Sequence, residues 1–183
     1  THPICSPSRA GLMSGMYQHR FGFEHNSGPE RYAAPNFGLP QTVPTLAEKL
    51  KTAGYATGMV GKWHIGFKEG LRPHERGFDE SFVFLSGARS YLADPAERNS
   101  LYRNGVEVPE DKEYLTDAFA RESAAFIERH RAEPFFLYLA FNAVHSPLQA
   151  TSDYDGRQDV VVLNRSERRC LGSPFRSWRS RDC

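Results

Sequence analysis

The pentapeptide Cys5-Ser6-Pro7-Ser8-Arg9 sets a thiol, two hydroxyls and a guanidinium within five residues, directly ahead of a helix-like segment. A thiol reacts as its thiolate, and only electropositive surroundings make the thiolate accessible. Arg9, one helical turn beyond Cys5, supplies part of that charge. Three more candidates stand out: Lys62 and His64 in "GKWHIG", and His145 in "NAVHSP". Read singly, a strand-end lysine or histidine is an ordinary loop residue and Cys5 an inert thiol. Gathered at a helix N-terminus, Arg9, Lys62, His64 and His145 would form a cationic pocket suited to an oxyanion.

The elements around these residues decide whether they meet. Ser6 is placed to cap a helix, Pro7 lies where a missing N–H costs nothing, and Gly15 can end the helix in a left-handed conformation. Residues 16–44 are rich in Gly, Pro, Asn and aromatics without periodicity, and read as a long irregular loop. In "TLAEKLKTAG", Thr45 and Glu48 match a capping box, with Leu46, Ala47, Leu50 and Ala53 on one face and Gly54 as the stop. "YATGMV" follows as a short apolar strand. A second helix is predicted over Thr116–Arg131, with Phe119, Ala120, Ser123, Phe126 and Ile127 on one side and a break at Pro134. The apolar run "FFLYLAFN" then reads as a strand buried on both faces. Helix followed by strand, twice, predicts a parallel sheet in an α/β domain. Ligands bind beyond the carboxyl ends of such strands, which is where Lys62 and His64 on one side, and His145 on the other, are expected. "LYRNGVEV" is a hairpin signal with a type I′ turn at Asn104-Gly105, expected as a surface excursion.

Composition narrows the partners. The 183 residues, 39% hydrophobic and 13% aromatic, can build one domain with a core. A net charge of +1 creates no global field to draw in nucleic acid or a membrane surface, and no apolar stretch reaches membrane-spanning length. The chain opens on Thr1, so a natural start and any leader are expected to be missing, and localisation stays open. Cys5, Cys170 and Cys183 form no disulfide framework and no C-x-x-C pair, while a Cys5–Cys170 bridge stays open. Residues 151–183 carry seven arginines but no lysine or histidine, and apart from "VVVL" show no period. They are expected to be an atypical Arg/Ser-rich tail from a shifted reading frame or a truncation junction, distinct from a catalytic portion at 1–150. His19, His25, His74 and His130 are expected at the surface, His19 and His25 in the loop that could line a substrate cleft.

"CSPSRAGLMSG" resembles the C-x-P-S-R signature of the sulfatases, and "GYATGMVGKWHIG" resembles their second signature; "RPHERGFDESF" and "FFLYLAFNAVHSPLQA" are similar to stretches that follow in that family. The resemblance covers about residues 1–150. It implies a formylglycine-dependent sulfatase with an alkaline-phosphatase-like α/β fold, a mainly parallel sheet flanked by helices and incomplete here. It implies that a maturation enzyme reading Cys5, Pro7 and Arg9 oxidises Cys5 to an aldehyde. One hydroxyl of the aldehyde hydrate, activated by a metal, attacks sulfur, and the other collapses to expel sulfate. By the same resemblance Arg9 holds the hydrate, Lys62 counters transition-state charge, His64 takes the proton of the second hydroxyl and His145 helps protonate the leaving oxygen. The implied metal is calcium, with the Cys5-derived oxygen among its ligands. The implied substrate is an aryl or carbohydrate sulfate, and the implied compartments are periplasmic, secreted or lysosomal.

Departures from the family pattern qualify this. The acidic pair expected upstream of Cys5 is missing, and Asp153, Asp155 and Asp159 form no recognisable version of the downstream acidic and amide pair. Ser14 and Met16 replace a threonine and an arginine usual in the first signature. The 183 residues alone are therefore expected to be an inactive fragment. Alternatives are a phosphodiesterase or phosphonate hydrolase of the same superfamily, or a non-catalytic pseudoenzyme. A cysteine phosphatase needs C-x5-R, whereas three residues separate Cys5 from Arg9.

Overall fold

The computed structural model describes residues 1–26, 34, 36–94, 96–97, 99–109, 113–149 and 151. The expected "VVVL" strand, the Cys5–Cys170 pairing, the three tail aspartates and nearly all of the tail lie outside these residues.

Helix α1, Cys5–Ser14, ends at Gly15 in the left-handed conformation (φ 68°), as its sequence predicts. Its start differs from expectation. Ile4 occupies the N-cap position with no side-chain cap, and Ser6 lies inside the helix. The amide of Ser6 instead donates to Asn26 Oδ1 at 2.8 Å, so the following loop caps the helix from a distance. Within that loop, Gln18–Phe21 forms a short 3-10 turn.

Helix α2, Leu46–Thr52, carries the predicted capping box: Glu48 N donates to Thr45 Oγ1 at 3.0 Å, and Thr45 N to Glu48 Oε2 at 2.6 Å. Of its predicted apolar face only Ala47 is buried. Two turns are too short to lay a whole face on the core. Helix α3, Leu115–His130, buries Leu115, Ala118, Phe119, Glu122, Ser123 and Phe126. Ala120 and Ile127, predicted inside, face out, because the burial arc is centred on Phe119 and Glu122, the latter taking both nitrogens of the Arg103 fork at 2.8 and 2.9 Å.

Strand β1, Ala56–Lys62, runs through the predicted "YATGMV" segment and two residues beyond it. Strand β2, Glu80–Phe84, was not predicted. The hairpin of β3, Leu101–Arg103, and β4, Val106–Val108, turns at Asn104 (φ 49°) and Gly105 (φ 84°), both left-handed as a type I′ turn requires. It is no surface excursion: β3 pairs antiparallel with β2, aligning Phe82 with Arg103 and Phe84 with Leu101. Strand β5, Phe135–Ala140, pairs parallel with β1, as does β2. The sheet order is β4-β3-β2-β1-β5, a mixed sheet whose central strands have the expected parallel sense.

Alternation along the strands separates two cores. Met59, Trp63 and Val83 pack with Ala10 and Met13 of α1 and Ala47 of α2. Val60, Phe82 and Phe84 pack with Leu115, Ala118 and Phe119 of α3. Helices thus cover both faces, as an α/β sheet demands. The run in β5 is not buried on both faces: Phe135 and Leu139 are each 36% exposed, because β1 is its one strand partner among the described residues. His19, His25 and His74 are exposed, but the His130 ring is held between Glu80 at 2.8 Å and Glu133 at 2.7 Å. Among the described residues no helix is long and apolar enough to cross a membrane.

Candidate functional site

Strand β1 delivers Lys62 as its last residue, not beyond its end, paired with Phe84 of β2. The side chain is 2% exposed. A buried ammonium must be held by its surroundings, and here the carboxyl end of the sheet meets the start of α1. Burial and the neighbouring Arg9 push the Lys62 pKa down, while Cys5, within hydrogen-bonding reach of the ammonium, opposes them. Arg9 Nη1 donates to the Lys62 carbonyl at 2.6 Å and to the Tyr138 hydroxyl at 3.3 Å, tying α1 to β1 and β5.

The backbone then turns sharply. His64 N still donates to Leu85 O at 3.1 Å, but the residue adopts a left-handed conformation (φ 59°), uncommon for a residue with a side chain. Its ring lies against Gly87, where an added Cβ would approach Cε1 to 2.7 Å. His64 is 3% exposed, and its Nδ1 has no hydrogen-bond partner among the described residues. Burial, then the charges of Lys62, Arg9 and His145, lower its pKa to about 3. The imidazole is therefore neutral near pH 7, with a free ring nitrogen. His145 follows β5 on an exposed loop, its Nδ1 2.8 Å from the Ser146 carbonyl.

Cys5, Asn26, His64, Ser86, Asn99 and His145 line one cavity of about 320 Å³. A second, open groove of about 600 Å³ runs along the other side of Cys5, past Ile4, Arg9, Leu12 and Tyr138. The structure thus brings together all five residues singled out from sequence, with Cys5 where the two cavities meet. Tyr138 and Asn26 were not foreseen. Tyr138 is legible in hindsight as the one polar group of an apolar strand, whereas Asn26 sits in a loop with no periodic signal.

The charged side chains gathered at Cys5 are cations, which suit an anion. Arg9 and Lys62 are the charged neighbours of Cys5, and no group of three or more His, Cys, Asp or Glu side chains converges among the described residues. A hard divalent cation needs six to eight oxygen ligands. The described residues do not by themselves fit the implied calcium.

The His64 environment sets an acid limit on stability. Its folded pKa lies below the ordinary 6.5, so the unfolded chain takes up a proton first as pH falls. Stability is full above about pH 6.5 and declines toward pH 3. Between about pH 7 and pH 4 the expected loss is on the order of 3 kcal/mol. Urea unfolding at the two values should show a smaller loss in His64→Asn; equal losses would trace the acid sensitivity to other groups.

A mixed five-stranded sheet flanked by helices matches the alkaline-phosphatase-like fold of its structural neighbours. The crystal structure of Ps i-CgsB in complex with k-i-k-neocarrahexaose superposes with a TM-score of 0.74 at 36% identity, covering 83% of this chain and 37% of that one. The sulfatase family model matches residues 1–177, and the chain belongs to that family. Arylsulfatase J of Mus musculus is 36% identical over 89% of this chain and 29% of its own length. N-acetylgalactosamine-6-sulfatase of Homo sapiens is 34% identical over 85% of this chain and 33% of its own. The chain spans about a third of the length of these relatives.

Proposed function

We propose that the protein to which these residues belong hydrolyses sulfate esters to an alcohol and inorganic sulfate. The observation that carries this reading is the buried Lys62 beside Cys5 at the start of α1, with Arg9 clamped behind it. Conversion of Cys5 to formylglycine by a maturation enzyme and an external oxidant would supply a hydrated aldehyde whose oxygens serve as nucleophile and as the route of sulfate release. Arg9 fixes the residue at position 5 and offsets negative charge. Lys62, in a site where water is scarce, stabilises charge growing on the sulfuryl oxygens. His64, neutral near pH 7, takes up the proton of the second hydroxyl once a sulfate anion offsets the charges of Lys62 and Arg9 that in part lower its basicity. His145, on the open side of the cavity, is placed to donate one to the departing alcohol. Aryl and carbohydrate sulfates both suit an open cleft, and the names of the relatives span both.

Calcium would take the oxygen of residue 5 as one ligand, but the described residues supply no carboxylate set for it. For the 183-residue chain alone we expect no tight calcium binding and no turnover of an aryl sulfate. Calorimetric titration and a colorimetric assay check this, and robust turnover would show that residues 152–183 supply ligands. Residues 1–150 are taken as part of the catalytic domain and 151–183 as the atypical tail. That boundary rests on composition, since the family match runs on to residue 177.

The direct test is mass spectrometry of the tryptic peptide Thr1–Arg9 from a host that matures other sulfatases. The expected product has lost one sulfur and two hydrogens and gained one oxygen at Cys5; an unmodified thiol alone would defeat the reading. Phosphate or phosphonate ester hydrolysis draws on the same cationic pocket, and activity on paired sulfate and phosphate esters separates the two.

A further inference from the structure

His145 is exposed, so packing around its ring does not set its position. Its segment is held from below. Tyr91, between β2 and β3, is 3% exposed, and its hydroxyl hydrogen is shared between the carbonyls of Asn142 at 2.9 Å and His145 at 2.8 Å. The Tyr91 amide donates to Gln149 Oε1 at 2.7 Å, and its carbonyl accepts from Leu115 N at 2.7 Å. Its ring stacks on Tyr114 with centroids 5.7 Å apart, and the Tyr114 hydroxyl donates to the Gln149 carbonyl at 2.9 Å. The segment 142–149 is therefore fastened to Tyr91 on both sides of His145, through the hydroxyl to Asn142 and His145 and through the backbone amide to Gln149. Within it, His145 N donates to Asn142 O at 2.7 Å, and Nδ1 sits 2.8 Å from Ser146 O. A carbonyl oxygen only accepts, so the ring proton of the neutral imidazole belongs on Nδ1, and Nε2 is left toward the cavity as the nitrogen that carries a second proton and gives it to the departing alcohol.

We propose that Tyr91 is a positioning residue that fixes the tautomer and orientation of His145, a role in catalysis that rests on the reading of His145 given above. Burial and the adjacent Tyr114 push the Tyr91 pKa up, so its hydroxyl stays a donor. Phenylalanine at this position keeps the ring stacking and removes the one hydrogen that both carbonyls share. The His145 carbonyl then loses its tyrosine partner and the Asn142 carbonyl keeps only the His145 amide, so the turn from Asn142 to His145 is less firmly held and the Nδ1 contact with Ser146 loses its geometry.

The test is nitrogen-15 NMR of the histidine rings with hydrogen exchange of the backbone amides, on the wild-type chain and Tyr91→Phe. In the wild type, His145 should show the Nδ1–H tautomer. In Tyr91→Phe it should move toward the Nε2–H form that a free imidazole prefers, and the His145 amide should exchange about tenfold faster. The His64 ring should stay unchanged. A folded Tyr91→Phe protein with the wild-type His145 tautomer and exchange rate overturns the proposal, as does an equal change at His64, which would mark general loosening. Should Tyr91→Phe fail to fold, the wild-type spectra decide: an Nε2–H tautomer at His145, or a His145 amide that exchanges as fast as an unprotected one, overturns the proposal. Inorganic sulfate added to the wild type tests the sulfate reading separately. Shifts of the His64 and His145 rings support that pocket, and their absence alongside an altered tautomer in Tyr91→Phe would retire the sulfate reading and keep the positioning one.

Discussion

Lys62→Ala in a protein that carries the complete metal site is expected to lower turnover about 10²- to 10³-fold, the usual cost of deleting one preorganised charge contact. His145→Ala should fall in the same range. The two losses differ in kind. Lys62 is buried and its charge is the second-largest influence depressing His64, so its removal should also let His64 titrate closer to an ordinary imidazole, visible by NMR. His145 is exposed, and its loss should grow as the leaving alcohol becomes more basic and needs its proton more. Circular dichroism must show both variants folded. Near-normal turnover in either would remove that residue from the mechanism.

Gly61→Ala is expected to cost more stability than any other single change at the site. Gly61 has φ 113°, and an added Cβ would lie 2.1 Å from the carbonyl oxygen of Ala140 in the paired strand. That atom is backbone and cannot swing aside, so β1 and β5 must part. Left-handed strain and overpacking together amount to on the order of 4 kcal/mol. Because Gly61 precedes Lys62 and Ala140 ends β5, the damage falls on the floor of the pocket. Equilibrium urea unfolding measures it. A loss below about 1 kcal/mol would show that the two strands can separate at little cost.

Local chemistry was legible in the sequence where it is self-contained. The Thr45–Glu48 box, the left-handed Gly15 and the Asn104-Gly105 turn each depend on a few adjacent residues, and all three form as read. Expectations that depended on distant partners fared worse. Nothing in "LYRNGVEV" says that its first strand docks on β2, nor does Ser6 reveal that Asn26 caps its helix. Burial of β5 on both faces was inferred from apolarity alone, yet apolarity cannot specify how many strands flank it. The five candidate residues lie near one another because the start of α1, with Arg9 one turn in, meets the carboxyl ends of β1 and β5, and the types of those elements were readable. Tyr91 and Asn26 lie in connections without period, and their roles emerge only from tertiary hydrogen bonds.

The clamp of Arg9 has a kinetic consequence. Its two acceptors, the Lys62 carbonyl and the Tyr138 hydroxyl, lie 53 and 129 residues away along the chain. Closing loops of that length costs entropy that local helix formation does not. Helix α1 can therefore gain its hydrogen bonds early, while the surroundings of Cys5 wait for β5 to dock on β1. The reactivity of the Cys5 thiol toward an alkylating reagent should accordingly track the last phase of refolding, lagging behind the far-ultraviolet signal of the helices.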